Sequence, residues 1–287
     1  MHAQEHTAAI SKLRSIEARV RGQQQGPIVR LISPGDWGER LKPFIFLDFF
    51  NAEIEPGFGF GMHPHSGIAT LTWQPGSDVH YQDTTGKNGI LKAGGLEWMN
   101  AGGGAWHRGS LLGRGQVTGF QLWVPMPPGI ESGPAFGQYV EPDTVPILDL
   151  HDGIRVRILL GTFGGCSSPI NSHQDMTYLA IDVPAGATWI FSPAVRQTIA
   201  WAFSFAGHSR VQGADTNHEL LILGEEGDLE IAAIDYDARV LVGFASPHDH
   251  PLICGPSSVH TNHIALEAGL RRIQEIGEHL RDSGDLA

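Results

Sequence analysis

Apolar residues in this chain gather in runs too short for helices, each bounded by glycine or proline. In the first half they fall at residues 28–32, 44–50, 67–73, 79–82 and 119–124. After Pro125-Met126-Pro127-Pro128-Gly129 the same texture returns at 154–160, 176–183, 187–191, 219–223, 228–234 and 238–244. Short strands separated by turn residues predict barrels or sandwiches. Two stretches differ. Residues 7–21 carry Ile10, Leu13, Ile16 and Val20 at helical spacing, closed by Gly22 and a polar Gln23-Gln24-Gln25-Gly26-Pro27 run. They predict an amphipathic helix and a linker. Residues 265–280 place Leu266, Leu270, Ile273 and Leu280 on one face of a closing helix. The pattern is a helix, two β-rich halves and a final helix.

Glycine supports that picture, with 37 in 287 residues against the usual ~7%. They have no collagen-like period and suit many tight turns. The net charge of −12 argues against nucleic acid as a direct partner, because phosphate contacts need a basic face. Cys166 and Cys254 lie far apart without a Cys-x-x-Cys spacing, so a reducing compartment is expected rather than a disulfide framework. The polar start, Met1-His2-Ala3-Gln4-Glu5-His6, has no hydrophobic signal core, and no run of apolar residues is long enough to span a membrane. The expected location is the cytoplasm.

The chemistry concentrates at Gly61-Met62-His63-Pro64-His65-Ser66-Gly67. On a strand, residues i and i+2 face the same way, so His63 and His65 present two imidazoles to one side and can share a metal ion. A third ligand, His107, follows the glycine-rich turn Gly102-Gly103-Gly104, 42 residues after His65, far enough for several strands to return the chain. A His-x-His pair alone is a weak signal. His248-Asp249-His250 repeats it between prolines and is expected to be a surface turn. The Gly102-Gly103-Gly104 run would cradle phosphate only if a helix followed, and Ala105-Trp106-His107 reads as strand. His80 and Tyr81 are adjacent on one strand, so one at most faces inward, whereas Gln121 and Trp123 share a face. Trp73, Trp98, Trp106 and Phe120 are either an aromatic pocket lining or ordinary core.

Several of these motifs occur together in one family. His63-Pro64-His65-Ser66-Gly67 resembles the His-Pro-His-Arg-Gly signature of the pirins. Leu41-Lys42-Pro43-Phe44-Ile45-Phe46-Leu47-Asp48, Leu96-Glu97-Trp98-Met99-Asn100-Ala101-Gly102 and Gly119-Phe120-Gln121-Leu122-Trp123-Val124 are similar to further pirin motifs in the same order, over about residues 29–125. The second half matches chiefly in Gly255-Pro256 and Val259-His260-Thr261-Asn262. The resemblance implies an all-β fold of two cupin (double-stranded β-helix, or jelly-roll) barrels with flanking N- and C-terminal helices. It divides the chain into a helical extension at 1–28, a metal-site barrel at 29–140, and a second barrel with its closing helix at 141–287. It also implies one divalent metal on His63, His65 and His107, usually iron, with nickel, zinc or an empty site as alternatives.

Some pirins oxidise flavonols such as quercetin with dioxygen, in the manner of quercetin 2,3-dioxygenases; others are regulatory partners. The expected function is therefore a metal-binding cupin acting with dioxygen on a flavonol-like or other small organic substrate. The alternative is a non-catalytic protein with an eroded site and a protein partner. The departures are specific. The family's ligand glutamate falls on Gly109, and a second family glutamate falls on Ala69, which strand parity would aim inward. Glu97, in place of a family glutamine, is the nearby candidate proton acceptor, or a hydrogen-bond partner to a ligand histidine, or a surface turn cap.

Overall fold

The computed structural model describes residues 12–286. The first half supplies β1 (Ile16–Val20), β2 (Gln23–Gln25), β3 (Ile28–Ile32), β4 (Phe46–Ile54), β5 (Gly59–His65) and β6 (Ile68–Trp73). It continues with β7 (Val79–Asp83), β8 (Asn88–Leu91), β9 (Leu96–Asn100), β10 (Ala105–Leu111), β11 (Gly115–Pro125) and β12 (Phe136–Val140). All but β1 build one barrel of two antiparallel sheets, ordered β12-β9-β6-β11-β4-β3-β2 and β5-β10-β7-β8. The second barrel has the same plan. Its large sheet runs from β1 through Leu220–Leu223, Ile199–Ala206, Ala238–Ala245, Met176–Val183 and Arg155–Leu160 to Ile147–Asp149. Its small sheet holds Thr188–Phe191, Leu229–Ala233, Ser209–Val211 and Ala214–Thr216.

The expected N-terminal helix is overturned where it can be seen. Residues 1–11 lie outside the described part, but Ile16–Val20 is a strand paired antiparallel with Leu220–Leu223. Its alternating half-buried and exposed positions fit the period-two reading equally well, and the open sheet edge decides between them. Arg14 fixes this segment. Its guanidinium donates to the carbonyls of Gln197, Gly224, Gly227 and Thr198 in the second barrel.

The termini therefore cross over. Residues 13–20 complete the second barrel, while the C-terminal segment packs on the first. Ser258 bridges to Ser66, and the helix His263–Ser283 lies against β10 and β5. That helix begins at an Asn262 cap and ends at Gly284 in the left-handed region. Its buried face is Leu266, Gly269, Ile273 and Gly277; Leu270 and Leu280 are only half-buried.

The two interiors differ. The second barrel is filled by Ile154, Val156, Ile158, Leu179, Ile181, Trp189 and their neighbours. A further apolar layer joins the halves, with Phe44, Phe49, Trp73, Trp98 and Phe120 from one side and Tyr178, Trp201, Phe203 and Phe205 from the other. Trp73, Trp98 and Phe120 are thus core, and Trp106 packs on the C-terminal helix, donating from Nε1 to the Ile273 carbonyl. The first barrel keeps a cavity of about 400 Å³.

Candidate metal centre

One end of that cavity is made by two paired strands. β5 presents His63 and His65 on one face, and β10 returns antiparallel so that His107 stands opposite His63 and Ala105 opposite His65. The ring centres lie 5.0 Å apart for His63 and His65, 4.5 Å for His63 and His107, and 5.2 Å for His65 and His107. Their ligand atoms fall within 4.8 Å of one another, and this is the one such histidine, cysteine or acid cluster among the described residues. Between His107 and Gly109 the pairing slips, β5 contributing one more residue than β10. Bulges of this kind often re-aim side chains beside functional sites.

Each imidazole is held by its Nδ1. His63 Nδ1 is 2.7 Å from the Gly61 carbonyl oxygen, and His65 Nδ1 is 2.9 Å from that of Ser257. His107 Nδ1 is 2.9 Å from Glu97 Oε1, a buried pair. Carbonyl and carboxylate oxygens only accept, so all three Nδ1 atoms carry the proton and all three Nε2 atoms present lone pairs. His107 Nε2 is buried and has no partner. Burial, reinforced by the neighbouring His107, pulls His63 down to about 4 and His65 well below its ordinary value. His63 and His65 therefore stay unprotonated at neutral pH, and no hydrogen bond in the protein occupies the buried Nε2 of His107 beside them. A divalent cation fits this donor set, with the outer hydrogen bonds fixing tautomer and ring orientation as in known histidine metal sites.

Beyond the histidines the wall is polar. Arg30 donates to both carboxylate oxygens of Asp48 at 3.0 Å and lies over the Phe46 ring, its guanidinium carbon 4.4 Å from the ring centre. Burial raises the Asp48 carboxyl, against the pull of Arg30. Thr72, Gln74 and Gln121 complete that side, while Ile28, Phe50, Phe60, Val79 and Leu111 make the rest apolar. Gln121 and Trp123 both line the cavity, as their shared parity predicts.

The other sequence candidates sort as follows. Glu97 is buried at 4% exposure, which removes the surface-cap alternative. Gly109 lines the cavity, and a Cβ there would meet only Val79 Cγ1 at 3.4 Å. Ala69 does not face the site. It lies in the apolar layer with Leu71 and Trp73, because Ser66 and Gly67 (φ +75°) turn the chain between β5 and β6 and reset the parity. His80 is exposed, bonded through Nε2 to Asn88 Oδ1, and Tyr81 stacks on Tyr139 with ring centres 3.5 Å apart. His248-Asp249-His250 is in a loop as expected, but His248 is buried rather than on the surface, its N–H directed at the Lys42 carbonyl in the first half. Sequence reasoning missed Ser257, Arg30 and Gly61. Ser257 lies 192 residues from the histidine it holds, and its only trace was the weak Gly255-Pro256 match.

A family model described as Pirin matches residues 24–124. A candidate quercetin 2,3-dioxygenase of Pseudomonas aeruginosa is 30% identical over 246 residues, covering 81% of this chain and 85% of that protein. A pirin-like protein of Caulobacter vibrioides is 31% identical over 239 residues, covering 80% and 85%. Among solved structures, a quercetin 2,3-dioxygenase from Acinetobacter baumannii superposes with a TM-score of 0.84 at 20% identity, covering 92% of this chain and 98% of that one.

Proposed function

This chain belongs to the pirin family, and on that premise we propose that it is a metal-dependent dioxygenase acting on a flavonol-like or other small organic substrate. One observation carries the proposal: three Nε2 lone pairs converge at the inner end of a cavity large enough for a small aromatic molecule. His63, His65 and His107 would hold the metal, which supplies the redox chemistry that dioxygen needs to react with an organic molecule. The similarity to the Pseudomonas protein supports the substrate class.

The protein's own residues have separable tasks. Gly61, Ser257 and Glu97 lock the three rings, so the donor atoms are oriented before anything binds. The apolar side excludes bulk water. Of the carboxylates lining the cavity, Asp48 is engaged by Arg30. Arg30 takes both of its oxygens, whereas His107 takes only Oε1 of Glu97, so Glu97 is the candidate base for the proton of a substrate hydroxyl, in addition to positioning His107. Gly109, where the resemblance places a ligand glutamate, leaves the metal without an anionic protein ligand, and an ionised substrate oxygen would supply that charge.

The glycine also favours a second reading, a protein that binds metal and ligand without turnover. Protein purified without a histidine tag from iron-supplemented cells separates the two. Close to one divalent metal per chain is expected, lost in His65→Ala, together with quercetin-dependent oxygen uptake by the loaded parent. Equal metal in parent and variant would overturn the site; full metal without oxygen uptake across flavonols and simpler phenols would leave the non-catalytic reading.

A further inference from the structure

Ser257, whose carbonyl accepts from His65 Nδ1 at 2.9 Å, sits in a strained position. It is the second residue of the Pro256-Ser257 turn that joins Ile253–Gly255 to Ser258–His260, and its φ of +55° lies in the left-handed region that glycine adopts freely. The hairpin has two short strands and belongs to neither barrel's sheets. Such a hairpin is marginal by itself, and a non-glycine residue persists in that backbone region only where its surroundings hold it.

The holding groups form a buried chain. Ser66, the residue after His65, bridges to Ser258 and accepts at its carbonyl from the Val259 N–H. Its Oγ lies 2.9 Å from Ser258 Oγ and 3.0 Å from His260 Nε2. His260 Nδ1 stands 3.3 Å from Glu131 Oε2. Glu131 in turn accepts from the Thr261 backbone N–H at 2.7 Å and from its hydroxyl at 2.6 Å. Ser66, Ser258, His260 and Glu131 are all buried. The order serine, histidine, carboxylate is that of a nucleophilic triad, but Gly269 covers the serine so closely that a Cβ there would lie 2.5 Å from Oγ. No acyl group can reach that hydroxyl. The chain ends on His65 instead of on a substrate.

Glu131 also reaches the second ligand strand. Its turn, residues 127–133, presents the Gly133 carbonyl to the Gly103 N–H at 2.9 Å, and the Gly102 carbonyl accepts from the Gly67 N–H at 2.8 Å. From Gly102-Gly103-Gly104 β10 sets out towards His107. Resting on the metal-centre reading of the three histidines, we propose that Glu131 is a positioning residue for that site. Through His260 and Ser66 it fixes the Ser257 carbonyl, and with it the ring of His65. The pirin signature carries arginine where this chain has Ser66, so the link is this chain's own.

Cobalt(II) is the probe, because its visible absorption reports ligand geometry. Parent, Ser66→Ala, Glu131→Gln and the double variant are loaded with it, and release to a mild chelator is timed beside the spectrum. Each single variant is expected to change the cobalt spectrum and to release metal about tenfold faster, the scale of losing a partner that orients a ligand. The double variant should be no faster than the quicker single one, since both cut one chain. Ser204→Ala, which removes a buried hydroxyl paired with Ser209 in the second barrel, controls for stability and should leave release unchanged. Release at the parental rate in Ser66→Ala, effects that multiply to about a hundredfold in the double variant, or equal loss in Ser204→Ala overturns the role of Glu131 and leaves the metal site standing. Should Glu131→Gln not fold, Ser66→Ala against the Ser204→Ala control decides alone. A parent that holds no cobalt removes the metal-centre reading itself, and this proposal with it.

Discussion

A single hydrogen bond separates Glu97 as a support from Glu97 as a bystander. Its carboxylate meets His107 Nδ1 inside the barrel, so removing it frees the ring to rotate and to place its proton on Nε2. Glu97→Ala should therefore retain metal ~10- to 100-fold less well against a mild chelator, the usual cost of losing such a partner. Metal release at the parental rate would show that His107 needs no holding. Gly109→Glu acts in the opposite direction. The position lines the cavity with only Val79 nearby, so an added carboxylate can approach the histidines, tighten metal retention and raise quercetin turnover. Faster metal loss than in the parent would mean that the new side chain turns away. Much of this site was legible in the residues themselves. His63 and His65 follow from period two, and His107 from a motif in the expected order. Ala69 was misjudged because parity holds only along an unbroken strand, and Gly67 breaks it. Ser257 was invisible because a backbone carbonyl carries no side-chain signature.

The elements that present the histidines are braced by the C-terminal helix. It approaches so closely that two of its four buried positions are glycines. A Cβ on Gly269 would stand 2.5 Å from Ser66 Oγ and 2.6 Å from His260 Nε2, and one on Gly277 would stand 2.7 Å from Trp106 Cζ2. Trp106 is the residue before His107, and Ser66 the residue after His65, so the helix buttresses both ligand strands. Gly277→Leu should destabilise the fold by about 1–3 kcal/mol through overpacking, read as a lower urea midpoint, and should loosen metal retention as well. An unchanged midpoint would mean that the helix can shift aside freely. The helix was foreseeable from its apolar spacing, but its glycine face was not, because glycine in a helical pattern reads as a weak point until the opposing surface is known. The N-terminal segment shows the converse. Its spacing satisfied a helix, yet an unpaired edge at Leu220–Leu223 makes it a strand.

Across the whole molecule, the exchange of termini ties the barrels together, and a buried histidine lies at the seam. His248 follows the last long strand of the second barrel, its backbone N–H directed at Lys42 in the first half and its Nδ1 3.4 Å from Gln174 Oε1. Gln174 in turn donates from Nε2 to the Pro125 carbonyl, across the same junction. Burial pulls His248 down to about 4; the charges of His250 and Lys42 add to that, and Asp249 and Glu131 oppose it. The sign of the consequence follows from proton counting. Between pH 6.5 and about 4 the unfolded chain protonates this histidine while the folded chain does not, so stability is fully present above pH 6.5 and falls as the pH drops through that window. At ~1.4 kcal/mol per unit, the loss attributable to His248 reaches about 3 kcal/mol by pH 4. His248→Asn removes the titration while keeping a polar side chain at the seam. Urea unfolding of metal-free parent and variant at pH 7 and pH 4.5 should show the gap between their stabilities shifting in favour of the variant by about 2–3 kcal/mol as the pH falls. His63 and His65 contribute equally to both proteins and cancel in that difference. A gap that stays constant between the two pH values would place the origin of acid sensitivity elsewhere than in the seam.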